Sequence, residues 1–152
     1  MKFFTKSKTT SSNKDAKTIL FVCVENAGRS QMAEGFFKKC APSRFKTVSA
    51  GTKPAYQLNP TVVEVMKEVG IDISKQKSKE LTEEMIRHSY NAVNMGCMDK
   101  NFCPAIFVPK VIEWNLDDPK GKSIEEVRGI RDELEKRVKE LVAEITIVTT
   151  ER

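Results

Sequence analysis

The sequence predicts a small three-layer α/β domain built on parallel strands, and three observations carry that prediction. Strand-like apolar runs alternate with helical patterns along the chain. The helical segments carry explicit capping residues. The first strand-like run, "TILFVCV", is apolar at consecutive positions, as in a strand buried on both faces. Right-handed crossovers join neighbouring strands in such a fold, and ligands bind outside the carboxyl ends of its strands. A chain of 152 residues is long enough to enclose an apolar core without staples.

After the first strand, Met32, Ala33, Phe36, Phe37 and Cys40 recur at helical spacing from Ser30 onward, and "AP" at 41–42 stops the pattern. This spacing places Cys40 on the buried face of the helix. "RFKTVSAG" reads as a second strand ending at Gly51. The next helix has Asn59 as N-cap, Pro60 in its first turn, Val62, Val63, Met66 and Val69 inside, and Gly70 past its end. "LTEEMIRH" predicts a shorter helix capped by Thr82 and ending near His88, followed by a strand at "NAVNMG", a loop holding Cys97 and Cys103, and a fourth strand at "VIEW". The last helix opens on a capping box of Ser123 and Glu126 and places Ile124, Val127, Ile130, Leu134, Val138, Leu141 and Ile145 on one face.

The net charge of +5 raises the question of a nucleic-acid or membrane partner. Residues 1–17 hold Lys2, Lys6, Lys8, Lys14 and Lys17 against Asp15, a net +4 that leaves +1 for the rest. The chain therefore divides into a basic tail, 1–17, expected to be flexible, and a single nearly neutral domain, 18–152, with neither nucleic acid nor membrane expected as partner. No apolar stretch has the roughly 7–15 residues of a secretory signal or the roughly 18 of a membrane span. A cytoplasmic setting is expected, and with it reduced cysteines at positions 23, 40, 97 and 103.

"CVENAGRS", Cys23–Ser30, lies where the first strand gives way to a helix. Amides in such a loop and in the first helical turn lack intrahelical acceptors and converge readily on an oxyanion, helped by the helix dipole. Arg29 adds a planar fork for two oxygens, and a positive setting favours thiolate over thiol at Cys23. Ser30 is placed to donate to the sulfur, and Asn26 to shape the loop in the left-handed region that asparagine tolerates. The competing reading is a buried cysteine at a strand end. "WNLDDPKG" offers Asp117 and Asp118 as proton donors, or only the chemistry of a turn.

"ILFVCVENAGRSQMAEGFF" followed by "SAGT" resembles the low-molecular-weight tyrosine phosphatase superfamily, and the later segments resemble its arsenate reductase branch of the thioredoxin-coupled type. The similarity spans residues 18 to about 143. It implies a four-stranded parallel sheet flanked by helices, with Val24, Glu25, Asn26, Ala27, Gly28, Arg29 and Ser30 forming the oxyanion loop. Cys23 is its nucleophile, with Arg29 in a catalytic role and Asp118, before Pro119, as the acid. It implies a monovalent cation near Asn26, Glu34 and Ser49 and no tightly bound cofactor. Glu25 departs from the glycine common at that position, and a carboxylate there repels an anion unless it points outward. Gly28 stands where relatives often have a second cysteine.

The arsenate reductase branch gives Cys97 and Cys103 a role. Cys23 attacks arsenate, Cys97 attacks Cys23 as arsenite leaves, and Cys103 takes over the disulfide for reduction by a thioredoxin-like dithiol protein. The competing readings are inert thiols or a metal site, though His88 is the one histidine and five residues separate the two cysteines. Lys120 and Gly121 after the Asp-Pro pair replace the aromatic walls of a tyrosine phosphatase, which suits a small inorganic oxyanion. Tyr56 is placed either on the rim or packed on its loop. The alternatives are a tyrosine phosphatase and a thiol-based sensor of arsenite or oxidants that does not turn over.

Overall fold

The computed structural model describes residues 16–96 and 111–150. The expectations for the tail up to residue 15 and for Cys97 and Cys103 fall outside the described residues. Among the described residues four strands and four helices follow in the order β1 (Lys17–Cys23), α1 (Arg29–Cys40), β2 (Phe45–Gly51), α2 (Pro60–Glu68), α3 (Glu83–Arg87), β3 (Ser89–Asn94), β4 (Val111–Glu113) and α4 (Ile124–Thr150). The strands form one sheet in the order β2-β1-β3-β4, and every pairing is parallel.

β1 is central, and its pleat explains why it is apolar from Ile19 onward. Ile19, Phe21 and Cys23 point to one face, where α1, α2 and α4 cover them with Met32, Phe36, Val62, Met66, Leu134 and Val138. Leu20 and Val22 point to the other face and meet Ala50, Ala92 and Ile86 from α3. A period of two with both sets buried leaves no polar position from Ile19 to Cys23; Lys17 and Thr18, at the open start of the strand, are only partly covered. Fully burying each such side chain contributes roughly 1.5–3 kcal/mol before conformational entropy is subtracted.

The capping residues act as the sequence predicts. Asn59 accepts hydrogen bonds from the amides of Thr61 and Val62, and Thr82 from that of Met85. Ser123 and Glu126 form a reciprocal box at α4, and the Ser123 hydrogen bonds, backbone amide first, hold the Glu126 carboxyl below its ordinary range. The apolar stripe of α4 is buried from Val127 to Ile145, with Ile124 partly covered at its start. Arg128 and Arg131 of α4 pair with Glu68 of α2. The Arg128 hydrogen bond, the largest contribution, helps bring the Glu68 carboxyl down to about 2.

Several details differ from the sequence expectation. β3 begins at Ser89 and ends at Asn94, two residues ahead of "NAVNMG" at each end. The reason is Gly96, whose φ of +98° turns the chain out of the extended region. In α2 the buried residues are Val62, Val65 and Met66; Val63 is only partly covered, and Val69 is the C-cap. Cys40, placed on the buried face by its spacing, is half-buried because it is the final residue of α1. Tyr56 is fully exposed and packs on nothing.

β2 ends at the back of the β1–α1 loop, and Gly51 sets how close it comes. A Cβ at Gly51 would lie 2.5 Å from the Val24 carbonyl oxygen and 2.9 Å from the Asn26 amide nitrogen. Both neighbours are backbone, so neither can rotate away. Gly51→Ala is expected to cost about 1–3 kcal/mol by overpacking, read as a lower melting temperature by circular dichroism. An unchanged melting temperature would mean that β2 does not support the loop in this way.

Candidate active site

The site is assembled at the carboxyl end of β1. Cys23 is the last residue of that strand and is 2 % exposed. Its Sγ lies 2.8 Å from Ser30 Oγ and accepts a hydrogen bond from the Asn26 amide at 3.2 Å. Ser30 Oγ already accepts from Asn26 Nδ2 at 2.7 Å, so its own proton is free to point at the sulfur. Asn26 sits at φ +50°, the left-handed conformation its side chain makes tolerable.

Contacts from outside hold the loop open. The carbonyls of Val24, Glu25 and Ala27 accept from the amides of Lys53, Ala55 and Asn59, and that of Asn26 from Gln31 Nε2. With the carbonyls drawn outward, the amides of Arg29, Ser30 and Gln31 are not spent on these contacts and have no intrahelical acceptor. Gly28 is the N-cap of α1 and makes no side-chain cap. An ordinary capping side chain would compete for amides that an anion needs.

Arg29 is only 8 % exposed, and its guanidinium joins the loop to the segment after β4. One nitrogen donates to the Leu116 carbonyl at 3.1 Å, and another lies 3.6 Å from Asp118 Oδ2. Asp118 is itself about half exposed and accepts from the Lys120 amide. Asp117 is exposed and does not line this site. Pro119 packs over the loop at Gly28, where a Cβ would come within 2.7 Å of its Cγ; a cysteine here would displace the Asp-Pro turn. On the other side a Cβ at Gly96 would overlap the Arg29 guanidinium. These residues enclose an open cavity of about 350 Å³ lined by Cys23, Gly28, Arg29, Asn59, Asp118 and Lys120, among others.

The structure thus brings Cys23, Asn26, Arg29, Ser30 and Asp118 together, and places Val24, Glu25, Ala27 and Gly28 in the loop between them. Glu25 does not stand beside the anion position as an unbalanced charge: its carboxylate lies 3.1 Å from Lys120 Nζ. The pair spans the cavity mouth between the Cys23 loop and the Asp-Pro turn. Lys120 is exposed and Glu25 only partly buried, so the pair adds little to stability, but it neutralises the one acidic group in the loop.

Three supports escape sequence reasoning: Gln31, Gln76 and Lys79. Gln31 donates to both oxygens of Asn26 and to the Lys77 carbonyl, and its own oxygen accepts from Gln76. The Lys79 amide donates to Asn26 Oδ1. Gln31 follows the Arg-Ser pair and carries no signal except that a glutamine lies within an otherwise buried turn.

The cation expected near Asn26, Glu34 and Ser49 does not fit the residues present. The oxygens do converge, with Asn26 Nδ2 donating to Ser49 Oγ at 3.0 Å and Ser49 Oγ donating to Glu34 Oε1 at 2.5 Å. Glu34, however, already has Lys38 Nζ at 2.6 Å and Lys79 Nζ at 3.8 Å. A further cation would face two ammonium groups across one carboxylate. Among the described residues no group of three or more His, Cys, Asp or Glu side chains could hold a metal ion, and no helix is long and apolar enough to cross a membrane.

The family model for the low molecular weight phosphotyrosine protein phosphatase matches residues 18–148. An arsenate reductase 2 of Staphylococcus epidermidis is 44% identical over 124 residues, covering 79% of this chain and 92% of that protein. The glutaredoxin arsenate reductase of Synechocystis is 37% identical over 132 residues, covering 86% and 99%. Among solved structures, an arsenate reductase in the phosphate binding state is similar with TM-score 0.78 and 34% identity, covering 85% of this chain and 98% of that one. The thioredoxin-dependent arsenate reductase of Corynebacterium glutamicum has TM-score 0.75 and 32% identity, with 95% and 73% covered. The YwlE arginine phosphatase of Geobacillus stearothermophilus has TM-score 0.80 and 26% identity, with 90% and 97% covered.

Proposed function

The chain belongs to the low molecular weight phosphotyrosine protein phosphatase family, and from its similarity to arsenate reductases we propose that it is an arsenate reductase. The observation that carries the reading is the setting of Cys23. A buried sulfur receives the Asn26 amide and lies beside the Ser30 hydroxyl, with a buried guanidinium on the same cavity. This is a nucleophile and an oxyanion cradle in one place.

The reaction follows from those groups. The Cys23 thiolate attacks arsenic while the Arg29 fork and the first-turn amides hold the remaining oxygens. Asp118 donates a proton to the oxygen that departs, which leaves as water. Cys97, as thiolate, then attacks Cys23 Sγ. The electron pair of the sulfur–arsenic bond passes to arsenic, which leaves as arsenite, two electrons more reduced, and a Cys23–Cys97 disulfide remains. Cys103 attacks Cys97, freeing Cys23 and forming a Cys97–Cys103 disulfide. A thioredoxin-like dithiol protein reduces that bridge, and the named relatives include both a thioredoxin-dependent and a glutaredoxin enzyme.

A second reading, phosphatase action, draws on the similarity to an arginine phosphatase and needs only Cys23, Arg29 and Asp118. The lining of the cavity argues for the reductase. Lys120 occupies the place after the Asp-Pro pair and is tied to Glu25 across the mouth, and among the described residues no aromatic side chain lines the cavity as a wall for a phenyl ring. Arsenate-dependent oxidation of reduced thioredoxin tests the choice, with hydrolysis of an aryl phosphate measured beside it. Cys97→Ser is expected to retain any hydrolysis and to stop arsenate reduction after a single event at Cys23. Sustained turnover by that variant would remove the relay, and hydrolysis without reduction in the native chain would favour the phosphatase.

A further inference from the structure

Glu34 is a carboxylate 5 % exposed, and a buried carboxylate requires a positive partner. Lys38, one helical turn away, supplies a contact from the exposed surface of α1. Lys79 is different, because it reaches the same carboxylate from the segment before α3 while also touching the anion loop. Its amide donates to Asn26 Oδ1 at 2.8 Å, and its Nζ donates to the Lys77 carbonyl at 2.8 Å and lies 3.8 Å from Glu34 Oε1.

From Glu34 a chain of hydrogen bonds leads to the nucleophile. Ser49 Oγ donates to Glu34, Asn26 Nδ2 donates to both Ser49 and Ser30, and Ser30 contacts Cys23 Sγ. We propose that the Lys79 ammonium is a built-in monovalent cation, which holds Glu34, and through it Ser49 and Asn26, in the geometry that shapes the anion loop. It makes a free potassium ion unnecessary. An ammonium has the charge of a potassium ion and similar size, and it meets the same kinds of ligand here, a carboxylate and a peptide carbonyl. Burial pushes the Lys79 pKa down, and the Glu34 charge opposes that shift by stabilising the ammonium. Lys79 is on this account a positioning residue that does not touch substrate. The proposal rests on the Cys23 loop binding an oxyanion and not on arsenate being the one.

The test uses the full chain with inorganic phosphate as the anion. Phosphate affinity by calorimetry and melting temperature are measured in potassium chloride and in tetramethylammonium chloride at equal ionic strength. The native chain is expected to bind phosphate within twofold in the two salts, on the order of the scatter between matched conditions. Lys79→Ala is expected to bind roughly tenfold more weakly in tetramethylammonium chloride and to recover in potassium or ammonium chloride, whose ions fit the vacated space. Lys79→Arg, which keeps the charge, is expected to stay within a few-fold of native, on the order of a second-sphere adjustment. A native chain that requires potassium would overturn the proposal, as would Lys79→Ala that binds normally in both salts or that neither ion restores. Because neither readout involves turnover, a chain that binds phosphate independently of potassium but does not reduce arsenate would refute the reductase reading and support this one.

Discussion

Cys23→Ser is expected to abolish arsenate reduction, with a loss of at least ~10⁴-fold, as for other nucleophiles that act as one unit with their surroundings. A serine hydroxyl at the end of β1 would keep the contact with Ser30 Oγ and the hydrogen bond from the Asn26 amide, so the loop should hold its shape. What it lacks is a polarisable sulfur that can attack arsenic and then be attacked in turn by a second thiol. The variant is therefore expected to bind phosphate and to melt close to the native chain, while thioredoxin oxidation in the presence of arsenate falls to background. Activity within tenfold of native would show that another thiol opens the reaction.

The second large effect is expected at Arg29. Its guanidinium reaches the Leu116 carbonyl with one nitrogen and Asp118 with another, and the planar fork offers two parallel donors to an oxyanion. Arg29→Lys keeps the charge but replaces the fork by a point charge on a flexible stem. Removing a donor aimed at developing charge costs ~10²–10³-fold in rate, and a loss of that size in kcat/KM is expected, with weaker inhibition by phosphate. The variant also leaves the Leu116 carbonyl without its donor, so the Asp-Pro turn should loosen. If kcat/KM fell by only a few-fold, charge alone would be sufficient and the bidentate geometry would not matter.

The local patterns in the sequence carried most of the architecture. Residues 19–23 of β1 are apolar at every position because both faces of a central parallel strand are covered there, and consecutive apolar residues say so directly. Asn59, Thr82, Ser123 and Glu126 cap helices whose amides lie two or three residues away, an interaction that is short in sequence and hence readable. The Cys23–Ser30 loop was readable for the same reason, since Cys23, left-handed Asn26, Arg29 and Ser30 all lie within one strand-to-helix turn. Errors came where a distant contact overruled a local pattern. Val65 is buried although Val63 fits the expected stripe as well, and β3 stops at Asn94, ahead of a glycine packed on Arg29.

By itself, the sequence determined the order of strands and helices, the capped helix starts, the Cys23–Ser30 strand-to-helix loop, and the Asp118 turn, because each depends on residues close together along the chain. Only the tertiary structure decided the strand order β2-β1-β3-β4, the pairing of Glu25 with Lys120, and the reach of Lys79 to Glu34 and Asn26. Those contacts join residues far apart in sequence, and a lysine on a loop looks the same in a sequence whether its charge meets water or a buried carboxylate. The fold makes that choice by bringing the segment before α3 against the loop after β1, where burial turns an ordinary surface charge into one that holds the site.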